Sequence, residues 1–139
     1  MQPLTLEFPV SAEDFSHAGE ASGAVKKTLK DLGFSPAVIR RVSVAMYEAE
    51  INMVIHANGG VITATICPDK ITVVFADAGP GIPNIDLAMQ EGYSTASETV
   101  RDLGFGAGMG LPNIKKYSDS LDIKTELGVG TTLTITINV

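Results

Sequence analysis

The sequence has one cysteine, no long apolar run and no excess of positive charge. A single cysteine, Cys67, excludes an intramolecular disulfide and any metal site built from several cysteines. No window approaches the roughly 20 consecutive apolar residues that a membrane-spanning helix needs. The first residues, MQPLTLEFPVSAED, lack the basic segment and apolar run of a signal peptide. We therefore expect a cytoplasmic protein that does not associate with membranes.

The charge balance is acidic, with 10 Lys and Arg residues against 16 Asp and Glu residues and a net charge of −6. Nucleic-acid-binding domains are usually basic, so DNA or RNA is disfavoured as the main ligand. The chain is 45% hydrophobic and 19% charged, which excludes a disordered or fibrous protein. Its 139 residues predict one domain, residues 1–139, that buries its core without disulfides.

Hydrophobic periodicity and turn residues predict the order βααββ, a long irregular segment, and then αββ. The predicted elements are a strand at 4–8, helices at about 12–32 and 36–57, strands at 61–67 and 71–76, a helix at about 111–118, and strands at 121–126 and 132–137. Ser11 and Ser35 are predicted helix N-caps, Gly33 a helix stop, and Pro9 the end of a strand or a sheet-edge residue. Hairpin-linked strands beside helices indicate a two-layer α/β sandwich, with a mixed, largely antiparallel sheet covered on one face.

The segment from about 82 to 110 differs in composition from the rest of the chain. It contains Pro83, a Ser/Thr cluster at 94–99 and alternate glycines up to Gly110. A stretch of this length inside a small domain usually has a function of its own. We expect it to form a mobile lid over a binding site.

The second predicted helix is mostly apolar, so the polar residues inside it need a reason. Glu48, Asn52 and His56 are spaced i, i+4, i+8 and lie on one stripe. A carboxylate one turn from a carboxamide suits a general base beside a cation held through the amide oxygen. Glu50 is expected to point away from this stripe to solvent. Spacing alone favours a simpler alternative, a solvent-contacting helix face on which Glu48 acts as a cap or pairs with Arg41 or a lysine.

One glycine-containing segment follows a predicted strand, and a second one precedes a predicted helix. Asp77 begins Asp-Ala-Gly-Pro-Gly at a strand end, where its carboxylate could accept a hydrogen bond from an exocyclic amine such as adenine N6. A tight turn explains that pattern equally well. The run from Gly104 to Gly110 opens a helix, which is an arrangement that favours phosphate. No Gly-Lys-Ser/Thr follows it, so it is not a P-loop, and a lid hinge remains an alternative.

The order of these motifs is more specific than any one of them. Glu-x-x-x-Asn on a helix, Asp-x-Gly-x-Gly after a strand, a lid, Gly-x-Gly-x-Gly-Leu opening a helix, and Gly-x-Gly-Thr between the last strands resemble the GHKL ATP-binding superfamily. The resemblance covers about residues 36–137. The run DAGPGIPNIDLAMQEGYST is most similar to the small bacterial anti-sigma-factor and switch serine/threonine protein kinases.

This resemblance implies a role for individual residues. Glu48 matches the catalytic base, Asn52 the ligand of a Mg²⁺ ion bound to the ATP phosphates, and Asp77 the acceptor for adenine N6. The other implied nucleotide-binding positions are Gly79, Gly81 and Ile82 near the base, Gly106, Gly108, Gly110 and Leu111 near the phosphates, Arg101 in the lid, and Thr131 near the adenine, with Thr132 as the alternative to Thr131. Lys115 and Lys116 are alternatives to Arg101 as the cation at the phosphates.

The same resemblance implies an ATP-dependent serine/threonine protein kinase of the anti-sigma regulatory type, with ATP and Mg²⁺ as cofactors. Its expected substrate is a small STAS-type anti-anti-sigma-like protein, with a sigma factor as a further partner, and a homodimer is allowed. No phosphoacceptor-histidine helix precedes the motifs in this sequence, so we expect the substrate to be a separate chain. Two alternatives stay open: an ATP-gated protein-binding switch, and a detached histidine-kinase ATPase domain acting in trans.

Overall fold

A computed structural model of the chain describes residues 3–10, 19–56, 60–77, 110–126 and 128–139. Within these ranges the elements are β1 (Leu4–Val10), α1 (Glu20–Asp31), α2 (Pro36–His56), β2 (Gly60–Ile66), β3 (Lys70–Asp77), α3 (Gly110–Tyr117), β4 (Ser120–Glu126) and β5 (Gly130–Asn138). Their order agrees with the predicted order. The predicted lid lies outside the described residues except for Gly110.

The five described strands form one sheet in the order β1-β2-β3-β5-β4, and each pairing between them is antiparallel. β3 and β5 are neighbours in the middle of the sheet. The last strand of the chain, β5, therefore pairs with the second strand of the β2–β3 hairpin. Pro9 lies inside β1 opposite Val61. A proline is tolerated there because β1 is an edge strand, which confirms the edge interpretation of Pro9.

Alternation along the strands separates an apolar face of the sheet from a threonine-rich one. The buried positions on the apolar face are Ile62, Ala64 and Ile66 in β2, Ile71, Val73 and Phe75 in β3, and Leu133, Ile135 and Ile137 in β5. The helices pack on this face and share one hydrophobic core with it. The fold is therefore the predicted two-layer α/β sandwich. None of the helices that the structure describes has the length and apolar composition needed to cross a membrane.

The connection between α1 and α2 follows the sequence signals closely. After α1, Gly33 has a φ of +82°, and its N–H donates to the carbonyl of Lys30. The N–H of Phe34 donates to the carbonyl of Leu29, which completes a Schellman cap. Ser35 then caps α2, because its Oγ accepts a hydrogen bond from the N–H of Val38 at 3.3 Å.

The start of α1 differs from the prediction. Gly19 has a φ of +95°, a left-handed conformation that interrupts any helix, and α1 begins at Glu20. The predicted continuous helix over 12–32 is therefore wrong across Gly19. The predicted cap Ser11 lies outside the described residues.

The expectation that Glu50 faces solvent is also wrong. Its side chain is only 3% exposed, and its carboxylate lies at the N-terminus of α1. Oε2 accepts hydrogen bonds from the backbone N–H groups of Gly19 at 2.9 Å and Ala21 at 3.3 Å, and Oε1 accepts one from Ser22 at 3.1 Å. The first N–H groups of a helix have no partners within it and carry partial positive charge, so they compensate a buried carboxylate. Glu50 therefore caps α1 from the neighbouring helix.

Replacing this cap should lower the stability of the fold. Glu50→Gln keeps the shape of the side chain but removes its charge and turns an NH₂ group toward backbone N–H donors. We expect the free energy of unfolding to fall by about 2 kcal/mol, since hydrogen bonds to buried charged groups contribute roughly that much. Urea denaturation followed by circular dichroism measures the change.

Glu20→Gln is the matched control, because Glu20 is an exposed acid in the first turn of the same helix. It should change the free energy of unfolding by no more than about 0.5 kcal/mol. Equal losses in the two variants would show that the carboxylate of Glu50 does not act as a cap.

Candidate active site

Four segments of the chain meet at one end of the sheet: the later turns of α2, the end of β3, the first turn of α3 and the start of β5. Asp77 ends β3 opposite Gly60, and Ala76 pairs with Thr132 of β5. α3 packs along α2, and its Ile114 is fully buried in the core. These segments carry most of the predicted site residues that the structure describes.

Asp77 and Thr131 are in direct contact. Oδ1 of Asp77 accepts a hydrogen bond from the backbone N–H of Thr131 at 3.1 Å. The hydroxyl oxygen of Thr131 lies 2.9 Å from that of Thr125 in β4, so the turn between β4 and β5 is joined to the end of β3. The central β3–β5 pairing thus brings together the two residues that the sequence predicts at the adenine.

Gly60 has no room for a side chain. A Cβ at this position would lie 2.7 Å from the terminal methyl of Met53 and 2.8 Å from the Cα of Asp77. The missing side chain lets β2 begin directly against α2 and the end of β3. Sequence reasoning treated Gly60 only as part of a helix stop. The second glycine of Asn58-Gly59-Gly60 could have indicated this packing, because a helix end needs only one glycine.

Glu48 lies half-buried on α2 beside the first turn of α3. The side chain of Asn113, in that turn of α3, acts on the pKa of this carboxylate. Burial raises the pKa of Glu48, and the hydrogen bond from Asn113 opposes that rise in part. A carboxylate whose pKa moves toward neutrality is a stronger base than an ordinary glutamate. Sequence reasoning missed Asn113, which no motif singled out.

Asn52 lies one turn beyond Glu48 and is also half-buried. The buried residues Ala45, Ala49 and Met53 lie on the side of α2 that faces the core. Glu48 and Asn52 lie beside them, at the edge of that side. Arg41, the alternative partner for Glu48, pairs instead with Asp119, with 2.7 Å between Nη2 and Oδ2. The predicted Glu48–Asn52 stripe is therefore neither fully solvated nor neutralised by Arg41.

Asn52 offers a neutral oxygen ligand of the kind that Mg²⁺ accepts when phosphates complete its coordination. Over the described residues, no group of three or more His, Cys, Asp or Glu side chains is arranged to hold a metal ion. The fit of Mg²⁺ to this chain therefore depends on the amide of Asn52 acting together with a nucleotide.

The remaining predicted positions divide into two groups. Gly110 is the first residue of α3 and Leu111 the second, so they stand where a helix N-terminus could face phosphate. Lys115 and Lys116 are exposed in the last turn of α3, and Nζ of Lys116 lies 5.6 Å from the ring centroid of Tyr117. The positions outside the described residues are Gly79, Gly81, Ile82, Arg101, Gly106 and Gly108.

Comparison with known proteins shows which family this chain belongs to. A family model described as a histidine kinase-like ATPase domain matches residues 11–137. The serine/threonine-protein kinase RsbT of Bacillus subtilis is 30% identical over 110 residues, which cover 76% of this chain and 77% of RsbT. An anti-sigma F factor of Clostridium beijerinckii is 31% identical over 140 residues, covering 95% of this chain and 91% of that protein.

Solved structures share the fold at lower identity. The SiaB–SiaC complex of Pseudomonas aeruginosa contains a chain that matches with a TM-score of 0.64 and 16% identity, over 95% of this chain and 88% of that one. The RsbU and RsbW domains of Rv1364c from Mycobacterium tuberculosis match with a TM-score of 0.63 and 18% identity. This chain is covered to 99% in that match but spans only 32% of the larger protein.

The absence of a side chain at Gly60 should be essential for nucleotide binding. Gly60→Ala would push the new methyl group against Met53 and the backbone of Asp77, and the carboxylate of Asp77 would move. We expect the affinity for ATP to fall at least about tenfold, which corresponds to roughly 1.4 kcal/mol. Isothermal titration calorimetry on the folded variant measures the loss.

Gly23→Ala is the matched control, since a Cβ at Gly23 meets nothing within 4 Å. Gly23 lies inside α1, so this variant should gain about 0.5–1 kcal/mol in stability and bind ATP unchanged. Normal ATP affinity in Gly60→Ala would contradict the close packing around Asp77.

Proposed function

We propose that this chain, which belongs to the histidine kinase-like ATPase domain family, is an ATP-dependent serine/threonine protein kinase of the anti-sigma regulatory type that phosphorylates a partner protein. One observation carries the proposal: Glu48 is half-buried and lies one turn from Asn52 on the same edge of α2. A desolvated carboxylate beside a neutral metal ligand suits proton removal from a hydroxyl close to bound phosphates.

The nucleotide would lie across the end of the sheet. Asp77, held by the backbone of Thr131, would accept a hydrogen bond from the exocyclic amine of adenine. Gly110 and Leu111, at the start of α3, would face the phosphates, and Asn52 would hold Mg²⁺ against them. We assign Gly79, Gly81 and Ile82 to the base pocket, and Arg101, Gly106 and Gly108 to the phosphates, on family resemblance alone.

The reaction is a transfer of the γ-phosphoryl group to a serine or threonine hydroxyl. The hydroxyl oxygen forms a bond to the γ-phosphorus while the bond from that phosphorus to the bridging oxygen of ADP breaks. Glu48 takes the hydroxyl proton. When bound, Mg²⁺ supplies neutralisation of the phosphate charge. The chain itself contributes mainly orientation, through Asp77 at one end of the nucleotide and Glu48 at the other.

The relatives support a protein partner. RsbT is named a serine/threonine-protein kinase, the clostridial relative is named an anti-sigma F factor, and SiaB is found in a complex with SiaC. We propose a small STAS-type anti-anti-sigma-like protein as substrate and a sigma factor as a further partner, with a homodimer compatible with both. Use of ATP and of such partners fits a cytoplasmic location.

The anti-sigma names favour a second candidate function, an ATP-gated protein that binds its partner without phosphorylating it. The two functions make opposite demands on Glu48. Binding needs the nucleotide pocket but no base, whereas transfer needs both.

Substitutions on α2 should separate binding from transfer. Glu48→Gln should keep ATP affinity within about twofold and lower phosphoryl transfer by roughly 10²–10⁴-fold, the usual contribution of a positioned base. Asn52→Ala should lose both Mg²⁺-dependent ATP binding and transfer. Transfer is measured with [γ-³²P]ATP and a partner captured from the native organism in the presence of non-hydrolysable ATP.

Glu20→Gln serves as the acidic control, because Glu50→Gln would alter the fold itself. Acid treatment of the labelled partner distinguishes the acceptor, since phosphoserine and phosphothreonine survive acid and phosphohistidine does not. Full transfer by Glu48→Gln would favour the binding switch, and an acid-labile product would favour a histidine-kinase ATPase domain acting in trans.

Asp77 should determine recognition of the base. Asp77→Ala leaves the adenine amine without its buried acceptor, which costs about 1–3 kcal/mol, so ATP should bind at least about tenfold more weakly. Asp69→Ala is the control, because Asp69 is exposed at the opposite end of β3. Calorimetry measures the affinities of both variants for ATP and for GTP, and so tests recognition of the base. Wild-type ATP affinity in Asp77→Ala would contradict the proposed pocket.

A further inference from the structure

Thr125 of β4 lies directly opposite Thr131 of β5, and the two hydroxyl oxygens are 2.9 Å apart. Both residues are half-buried, and strand alternation places them on the face of the sheet that the helices cover, in line with the buried Leu133. Asp77 lies on the same face at the end of β3, and its Oδ1 accepts a hydrogen bond from the N–H of Thr131 at 3.1 Å. The three side chains therefore form one polar cluster at the end of the apolar face.

The hydroxyl protons of this cluster can be assigned by starting from a group that can only accept. A carbonyl oxygen has no proton, so Thr125 is the donor in the contact of 3.4 Å between its Oγ1 and the carbonyl of Gly130. A hydroxyl has one proton, and Thr125 then has none left for Thr131. The hydroxyl of Thr131 must therefore donate to Thr125. The opposite order would make only one of these two hydrogen bonds.

This assignment decides what the cluster offers to a ligand. The N–H of Thr131 is directed to Asp77, its hydroxyl proton to Thr125, and the hydroxyl proton of Thr125 to the carbonyl of Gly130. Toward a ligand, the Thr131 hydroxyl can therefore present only lone pairs, and the ionised carboxylate of Asp77 beside it also only accepts. Two neighbouring acceptors attract an exocyclic amine and repel a carbonyl oxygen.

We infer that Thr125 is a positioning residue that sets the base specificity of the site: it takes the hydroxyl proton of Thr131 and so turns that hydroxyl into an acceptor. This orientation favours the 6-amino group of adenine over the 6-carbonyl group of hypoxanthine or guanine. The inference rests on the proposed function, because it concerns the adenine end of the proposed site, where Asp77 and Thr131 lie.

The simpler explanation of the threonine pair is structural, since facing threonines on neighbouring strands stabilise a sheet. An orienting role differs from a structural one in the ratio of the affinities for ATP and for inosine triphosphate (ITP). ITP has a carbonyl oxygen where ATP has the amine. A loss of sheet stability lowers both affinities together, whereas a change in the orientation of the Thr131 hydroxyl changes their ratio.

Thr125→Val removes the hydroxyl and keeps the branched shape that suits a strand. In this variant the hydroxyl of Thr131 can rotate and donate to a carbonyl, so ATP should bind more weakly and ITP more tightly. We expect the ATP-to-ITP affinity ratio, measured by isothermal titration calorimetry with Mg²⁺, to fall about tenfold, the factor that one hydrogen bond can contribute. Thr125→Ser keeps the hydroxyl and should keep the wild-type ratio.

Thr134→Val is the matched control, because Thr134 lies in β5 on the opposite face of the sheet, where it pairs with Asp122. It should leave the ratio unchanged. Thr125→Ala removes the same hydroxyl in a smaller side chain and should repeat the fall, so the result does not depend on the folding of one variant. In a Thr131→Val background, adding Thr125→Val should change the ratio no further, because Thr125 acts through the Thr131 hydroxyl.

A wild-type ratio in Thr125→Val and Thr125→Ala would overturn the inference, as would a further fall in the Thr131→Val background. Equal affinities of the wild-type chain for ATP and ITP would also overturn it. Each of these results leaves the kinase proposal intact. A wild-type chain that binds neither nucleotide would refute the proposed function, and the role of Thr125 with it.

Discussion

The carboxylate of Glu50 at the N-terminus of α1 is the interaction on which the helical layer depends. Three backbone N–H groups compensate a charge that is almost completely buried, so α1 has one stable position against α2. α3 packs along α2 as well, and Asp119, two residues beyond the end of α3, pairs with Arg41 of α2. The helix that carries the candidate base is thus held by two neighbouring helices before any ligand binds.

Two acids of the same helix have opposite roles because their surroundings differ. Glu50 meets several backbone donors and is committed to structure. Glu48, two residues away, meets one amide and remains half-exposed, and burial raises its pKa. The identity of the residue therefore says little about its role. The number of donors around each carboxylate separates a cap from a candidate base.

The part of the candidate site formed by Asp77 and Thr131 depends on the order of the strands in the sheet. Because β5 pairs with β3 and not only with β4, the start of the last strand reaches the end of the hairpin, and Thr131 meets Asp77. Gly60 allows α2 to approach the same point. The adenine end that we propose thus depends on the sheet, and the catalytic end on the packing of α2 against α3.

The sequence by itself determined the features that depend on near neighbours along the chain. Gly33 and Ser35 end one helix and begin the next, alternation places Ile62 and Phe75 on the buried face, and the order of motifs identifies the family. Only the tertiary structure decided where α1 begins, what Glu50 does and why position 60 is glycine. Each of these depends on atoms brought together from distant parts of the chain, and a separation of 28 to 31 positions between Glu50 and its donors leaves no periodic signal. Local patterns report backbone propensity and burial, whereas the partner of a buried polar group is chosen by packing.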